Sequence, residues 1–165
     1  MSLTDLSLHR SLARIVQEGV SHVNELHPLH PDAQNVLIGS IVVAMFAWVE
    51  ENAHPNWALL HDSNQAKPFL WVSWDEFINM HKIRHCFAHS MDGTMLPNYA
   101  TDIQVFLQKL LNGSVQKERL DGISETVKPY YSVTGNKITL SPSIIPRCMQ
   151  LTTKYWSKAT NTPLK

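Results

Sequence analysis

Apolar residues recur at three- and four-residue steps along the first part of the chain. Leu8, Leu12, Ile15, Val16, Val23 and Leu26 carry the period, with Arg10, Arg14, Gln17 and Glu18 between them. That spacing predicts an amphipathic helix over about residues 3–26. Pro28 and Pro31 of HPLHPD end it, because proline cannot continue a helix interior. Asp32 then caps a second helix, about 33–52, which is apolar on nearly every side between Val36 and Val49. Such a helix must be covered by its neighbours or by another subunit. Its apolar run falls short of the roughly 20 residues a membrane span needs.

From residue 53 to 73 the period breaks down into turn signals, HPNW, DSN and KPF, which predict a long loop. A third helix, about 74–90, starts at Ser73 with Glu76 three residues on, the pattern of a capping box. SMDG closes it, with Gly93 as terminator. A fourth helix, about 98–112, shows a stripe of Tyr99, Ile103, Phe106, Leu107 and Leu110. YYSVTGNKITLS then alternates around Gly135-Asn136 and predicts a β-hairpin over about 130–141. A last helix, about 143–158, accommodates Pro146 only in its first turn and turns Ile145, Met149, Thr152 and Trp156 inward. The expected fold class is mostly all-α: a four-to-five-helix up-and-down bundle with a small C-terminal β-hairpin, one domain over residues 1–160.

Composition narrows the function. The chain has 165 residues, 44% of them apolar, enough for a core without disulfide or metal staples. Lysine and arginine together number 14, as do aspartate and glutamate, so the formal net charge is zero. A protein that grips long duplex nucleic acid through its phosphates carries a basic excess, so any nucleic-acid role here is local or enzymatic. The nine histidines leave the charge near neutral pH dependent on environment. Cys86 and Cys148 form no CxxC pair, which fits a reducing cytoplasm. MSLTDLSLHRSLARIVQ lacks a basic n-region followed by an apolar run, so neither a signal peptide nor a membrane role is expected.

One decapeptide concentrates chemistry. HKIRHCFAHS, residues 81–90, holds three histidines at a spacing of four, an arginine, a cysteine and no acid. At about 100° per residue, Met80, Ile83 and Phe87 cluster on one side of the helix. His81, His85 and His89 fan across the other side with Arg84 flanking them, and Cys86 falls between the faces as a small packing residue. An i, i+4 histidine pair can chelate zinc or nickel, yet only Asp92 and Cys86 stand near as further ligands and there is no HExxH. A plain solvated face is the alternative that assigns these residues no chemistry.

RHCFAH, Arg84 to His89, resembles the R-x(4–6)-H motif of the HEPN superfamily (higher eukaryotes and prokaryotes nucleotide-binding), small all-α domains that carry it near the end of a helix, often before a tight turn. The likeness is sharp over Trp74 to Pro97 and extends loosely over the helical layout. It implies a homodimer whose two motifs face one cleft, and a metal-independent endoribonuclease with Arg84 and His89 as the catalytic pair and His85 as the polar third member. It also implies RNA as substrate, a toxin or phage-defence setting, and an antitoxin or nucleotidyltransferase as partner. Two departures stand out. The follower of the arginine is His85 rather than the frequent asparagine, and Met91 stands where adenylylated members carry a tyrosine, so that modification is not carried over. The C-terminal hairpin and last helix are additions to the minimal four-helix core.

The chemistry is consistent with those roles. Cleaving RNA without metal needs the 2′-hydroxyl deprotonated and the leaving 5′-oxygen protonated, which imidazole can do near neutral pH. A guanidinium stabilises the charge that gathers on phosphorus through paired hydrogen bonds. Of the aromatic cluster Trp57, Phe69, Trp71 and Trp74, Trp71 and Trp74 are taken as base-stacking candidates, and His81 and Lys82 as further substrate contacts. No metal and no cofactor is expected. The competing readings are a non-catalytic nucleotide- or protein-binding module of the same fold and a histidine-rich metal-binding helical protein.

Overall fold

A computed structural model describes residues 30–51, 74–119 and 121–161, together with residues 10, 13, 14, 16–22 and 25. The protein is mostly helical, with two small antiparallel strand pairs towards its C-terminus. The order is α1 (Pro31–Glu51), α2 (Trp74–His89), α3 (Ala100–Leu111), β1 (Gln116–Glu118), β2 (Ser124–Thr126), β3 (Tyr131–Thr134), β4 (Lys137–Leu140) and α4 (Ile144–Asn161). Before α1, the described residues between 10 and 25 are helical, and Ala13 and Val20 are buried. Leu8, Leu12, Ile15, Val23 and Leu26 of the expected first stripe, and the expected loop over 53–73, lie outside the described residues.

α2 is the hub, packed against α1, α3 and α4. Its inner side buries Phe77, Met80, Ile83, Cys86 and Phe87 among Ile38, Val42 and Phe46 of α1 and Ile144, Ile145 and Cys148 of α4. α1 is apolar almost all round, and between residues 35 and 48 it leaves one strip open. Ile38, Val42, Met45 and Phe46 are buried, whereas Leu37, Ser40 and Ala44 are exposed. α1 and α2 meet closely at one point: a Cβ on Gly39 would lie 2.2 Å from the Phe87 ring. The missing side chain is the notch into which Phe87 fits.

A buried polar cluster joins the start of α2 to α4 and β3. Glu76, 3% exposed, receives both limbs of the Arg147 guanidinium, Nε to Oε1 at 2.8 Å and the terminal nitrogen to Oε2 at 2.5 Å. Tyr130 also donates to Oε1 at 3.2 Å. Beside them Asn79 donates to the Tyr131 hydroxyl at 3.2 Å, which donates to the Ile103 carbonyl of α3 at 2.7 Å. The bidentate geometry offsets the cost of removing two charges from water. Glu76 therefore pairs across the fold through its carboxylate, and its expected capping partner Ser73 lies outside the described residues. Burial, then the Glu76 charge, pushes the Tyr130 hydroxyl well above its ordinary value.

The expected hairpin is β3–β4, paired Tyr131↔Leu140 to Thr134↔Lys137. Its turn has Gly135 at φ 61° and no positive φ at Asn136, the pattern of a type II′ turn. β1–β2 is a second ribbon, paired Gln116↔Thr126 to Glu118↔Ser124, which the hydrophobic pattern does not announce because its residues do not alternate. Pro146 falls in the first turn of α4, and Ile145 and Thr152 point into the core with Met149 half-buried. Among the described residues no helix is long and apolar enough to cross a membrane.

Two substitutions measure these constraints. Gly-to-Ala in a helix ordinarily stabilises by about 0.5–1 kcal/mol. Gly39→Ala is expected to reverse that sign and destabilise by about 1–3 kcal/mol through overpacking against Phe87, read from urea unfolding. Arg147→Ala leaves the Glu76 carboxylate buried without its ion-pair partner and should cost about 3–5 kcal/mol in the same assay. The pair Glu76→Gln with Arg147→Met should recover most of that loss.

Candidate functional site

The site is built on the outer face of α2. Met80, Ile83 and Cys86 are wholly buried and Phe87 is 3% exposed, so the rotation of the helix about its axis is settled by its apolar side. That turns the histidines outward. His81 and His85 are half-buried and His89, the last residue of the helix, is exposed. Their rings form a row, with centroids 4.6 Å apart from His81 to His85 and 6.4 Å from His85 to His89.

The neighbours of this row differ along its length. His81 meets the Phe46 ring edge-on, with centroids 5.6 Å apart. Arg84, half-buried, holds its guanidinium carbon 5.9 Å from the centre of the same ring. Thus His81 and Arg84 border α1. On the other flank the Tyr99 hydroxyl lies 3.5 Å from His85 Nδ1, its ring edge-on to the imidazole. Lys82 bonds Asp102 of α3 at 2.6 Å and sits 5.9 Å from the centre of the Tyr99 ring. Tyr99 is a neighbour of the row that the sequence pattern assigned only to the α3 stripe. Its signal was its place directly before α3, where an aromatic can serve the core and the site at once.

The turn after His89 is held by an unusually complete set of bonds. Asp92 Oδ1 accepts from Ser90 Oγ at 2.6 Å, from the Thr94 N–H at 3.0 Å and from Thr94 Oγ1 at 2.8 Å. Oδ2 meets Lys137 Nζ of β4 at 3.2 Å. These bonds hold the Asp92 carboxyl far below the usual carboxylate range, the Ser90 hydroxyl contributing most. Gly93 has φ 85°, and a Cβ there would stand 2.4 Å from the Ile138 carbonyl, so only glycine allows the turn to lie against the hairpin. Ile138 N–H donates to the Gly93 carbonyl at 2.8 Å and Met95 N–H to the Asn136 carbonyl at 2.7 Å, which adds residues 93–95 to the hairpin as a short third edge. Asn35 of α1 closes the other side, donating to the Ile138 carbonyl at 2.8 Å and accepting from the Leu140 N–H at 2.8 Å.

The predicted site residues therefore separate into groups. Arg84, His85, His89, His81 and Lys82 share the outer side of α2. Trp74 does not stand open as a stacking platform. It is 6% exposed, and its ring centroid lies 6.2 Å from that of Phe77. Trp71 lies outside the described residues. Cys86 is buried, accepts the Leu96 N–H at 3.4 Å, and has its thiol pushed up by burial, which makes it a packing residue. Asp92 is taken up by its turn, and among the described residues no group of three or more His, Cys, Asp or Glu side chains gathers as metal ligands would.

No family model matches the chain, and neither a curated protein nor a solved structure resembles it significantly.

The Asp92 turn gives a pH-dependent outcome. Its folded pKa is depressed, so it contributes stability that is present above the unfolded value of about 3.9 and is lost as pH falls towards the folded one. Thermal unfolding followed from pH 6 to pH 2 should show Asp92→Asn already less stable at pH 6, with a shallower fall in acid than the wild type.

Proposed function

We propose that the protein is a HEPN-like domain that cleaves RNA without metal, as a homodimer, with Arg84, His85 and His89 as its reacting groups. The observation that carries this reading is the division of α2. Cys86 and Phe87, between the motif members, are buried, while Ala88 and His89 stand exposed at the helix end and His85 and Arg84 lie half-exposed beside them.

Five positions along a helix place Arg84 and His89 about 140° apart around the axis and about 7.5 Å apart along it. One helix aims them at a common phosphorus poorly, and a second protomer brought against the same face relieves this by supplying a second His89 and Arg84. In that arrangement one imidazole takes the proton of the 2′-hydroxyl as its oxygen attacks phosphorus. The other gives a proton to the departing 5′-oxygen. The products are a 2′,3′-cyclic phosphate and a free 5′-hydroxyl, and the guanidinium bears the charge of the crowded phosphorus between them. The turn held by Asp92, Gly93 and Lys137 keeps the end of α2 in place, so His89 projects from a fixed backbone. A cytoplasmic toxin or defence role, with an antitoxin or nucleotidyltransferase partner, belongs to the same proposal.

One observation favours a second reading. Arg84 packs its guanidinium over Phe46, as an arginine does when it ties two helices together. In that case the domain binds a nucleotide or protein without cutting.

Structured RNA incubated with the purified protein in EDTA separates the two. The ribonuclease reading expects fragments ending in cyclic phosphate, and a loss of about 10²–10³-fold in rate for both Arg84→Ala and His89→Ala. His85→Ala should lose less, about tenfold. Cleavage that survives either of the first two changes removes the catalytic assignment, and intact RNA with the wild type leaves the binding module.

A further inference from the structure

Tyr99 stands where a helix ordinarily begins with a cap. It is the residue before α3, where serine, threonine, aspartate or asparagine would satisfy an open N–H of the first turn. Its side chain makes no such bond. The ring instead packs half-buried on the edge of the core and carries its hydroxyl to the histidine row, 3.5 Å from His85 Nδ1.

The backbone fixes that placement from both sides. Tyr99 N–H donates to the Leu96 carbonyl at 2.9 Å, and Leu96 N–H donates to the Cys86 thiol at 3.4 Å. The turn before α3 is thereby tied to α2 at the residue that follows His85. Ile103 N–H donates to the Tyr99 carbonyl at 3.0 Å, which joins Tyr99 to the first turn of α3. The helices also hold an antiparallel register, with Lys109 on Asp75 and Lys82 on Asp102 along the cleft between α2 and α3. His85 lies three residues beyond Lys82 and Tyr99 three residues before Asp102, so their contact is the next rung of the same ladder.

The chemistry gives the contact a direction. A phenol is a stronger acid than a neutral imidazole N–H, and an imidazole nitrogen accepts better than a phenol oxygen. Lys82 Nζ stands 5.9 Å from the centre of the Tyr99 ring, and a cation there draws charge from the ring and strengthens the hydroxyl as a donor. A separation of 3.5 Å is the long form such a bond takes before substrate tightens the site.

We infer that Tyr99 is a positioning residue for His85: its hydroxyl donates to Nδ1, sets the rotation of the imidazole and keeps the ring proton on Nε2. What His85 then does rests on the ribonuclease reading. The neutral ring offers Nε2–H as a donor to a phosphate oxygen of the RNA, and the proton transfers fall to His89 and its copy in the second protomer.

Tyr99→Phe removes the hydroxyl and keeps the ring, so its thermal unfolding should stay close to that of the wild type. Nitrogen NMR of the imidazoles, without RNA, should show wild-type His85 unprotonated at Nδ1 in its neutral form. In Tyr99→Phe that signal should move while those of His89 stay in place. His85 should also titrate about 0.5–1 pH unit higher, because a bond donated to Nδ1 favours the neutral ring. The charged and titratable groups around it, His81, Lys82, Arg84 and His89 of α2 and Asp102 of α3, are the same in both proteins. Cleavage in EDTA should slow about three- to tenfold in Tyr99→Phe, and the change should add nothing in a His85→Ala background, since it acts through that ring. A proton found on Nδ1 of neutral His85, or a His85 signal and midpoint indifferent to Tyr99→Phe, overturns the inference whatever the protein does to RNA. Losses that add in the double variant overturn it too. The expected NMR changes in a protein that leaves RNA intact sink the ribonuclease reading and leave the Tyr99–His85 bond standing.

Discussion

The rotation of α2 about its own axis is the constraint on which the rest of the structure depends. A helix with an apolar side and a histidine side can do its work only if the first is sealed. At the C-terminal end Phe87 is seated in the notch left by Gly39, and Cys86 beneath it takes the Leu96 N–H. At the N-terminal end Glu76 is held by both limbs of Arg147. The two fastenings lie about three turns apart, and between them Met80 and Ile83 are fully buried. A helix tied down at both ends in this way has one orientation, and the imidazoles project on the remaining side by default.

The C-terminal part of the chain gains its meaning from the same constraint. The β3–β4 hairpin carries little core of its own, since Ile138, Leu140 and Tyr131 are its buried side chains. It works as a brace. Gly93 lies against Ile138, Lys137 reaches Asp92, and Asn35 bonds both the Ile138 carbonyl and the Leu140 N–H, so the turn after His89 is gripped by α1 and by the hairpin together. An isolated two-stranded ribbon is marginal in water, and here it is stabilised by what it supports. The arrangement suits a site that must keep a helix terminus ordered while leaving its last side chain exposed.

The outer surface of α2 is graded from one flank to the other. Near α1 the groups are half-covered and aromatic, with His81 and Arg84 against Phe46. Near α3 they are polar and ion-paired, with Lys82 on Asp102. His85 lies between, within reach of the Tyr99 hydroxyl, and His89 is exposed. The lysines along the α2–α3 cleft are balanced by the aspartates of the opposite helix.

Periodicity alone located α1, α2, α3, α4 and the β3–β4 hairpin within a few residues, because helices and strands that bury one side must repeat at their own period. It also separated the core side of α2 from its histidine side. The outward placing of the candidate residues Arg84, His85 and His89 was legible from their spacing, as were Gly93 from its terminating position and Pro146 from its tolerance in a first turn. Contacts between segments distant in sequence were decided only by tertiary structure. Glu76 reads as a cap and is an ion-pair partner of Arg147, 71 residues away. Trp74 reads as a stacking surface and is core. Asn35 and Gly39 carry no local signal for their roles, and Tyr99 carries only that of the α3 stripe. Each acquires its role from a partner brought to it by the fold, and no one-dimensional period encodes which helix will be the neighbour.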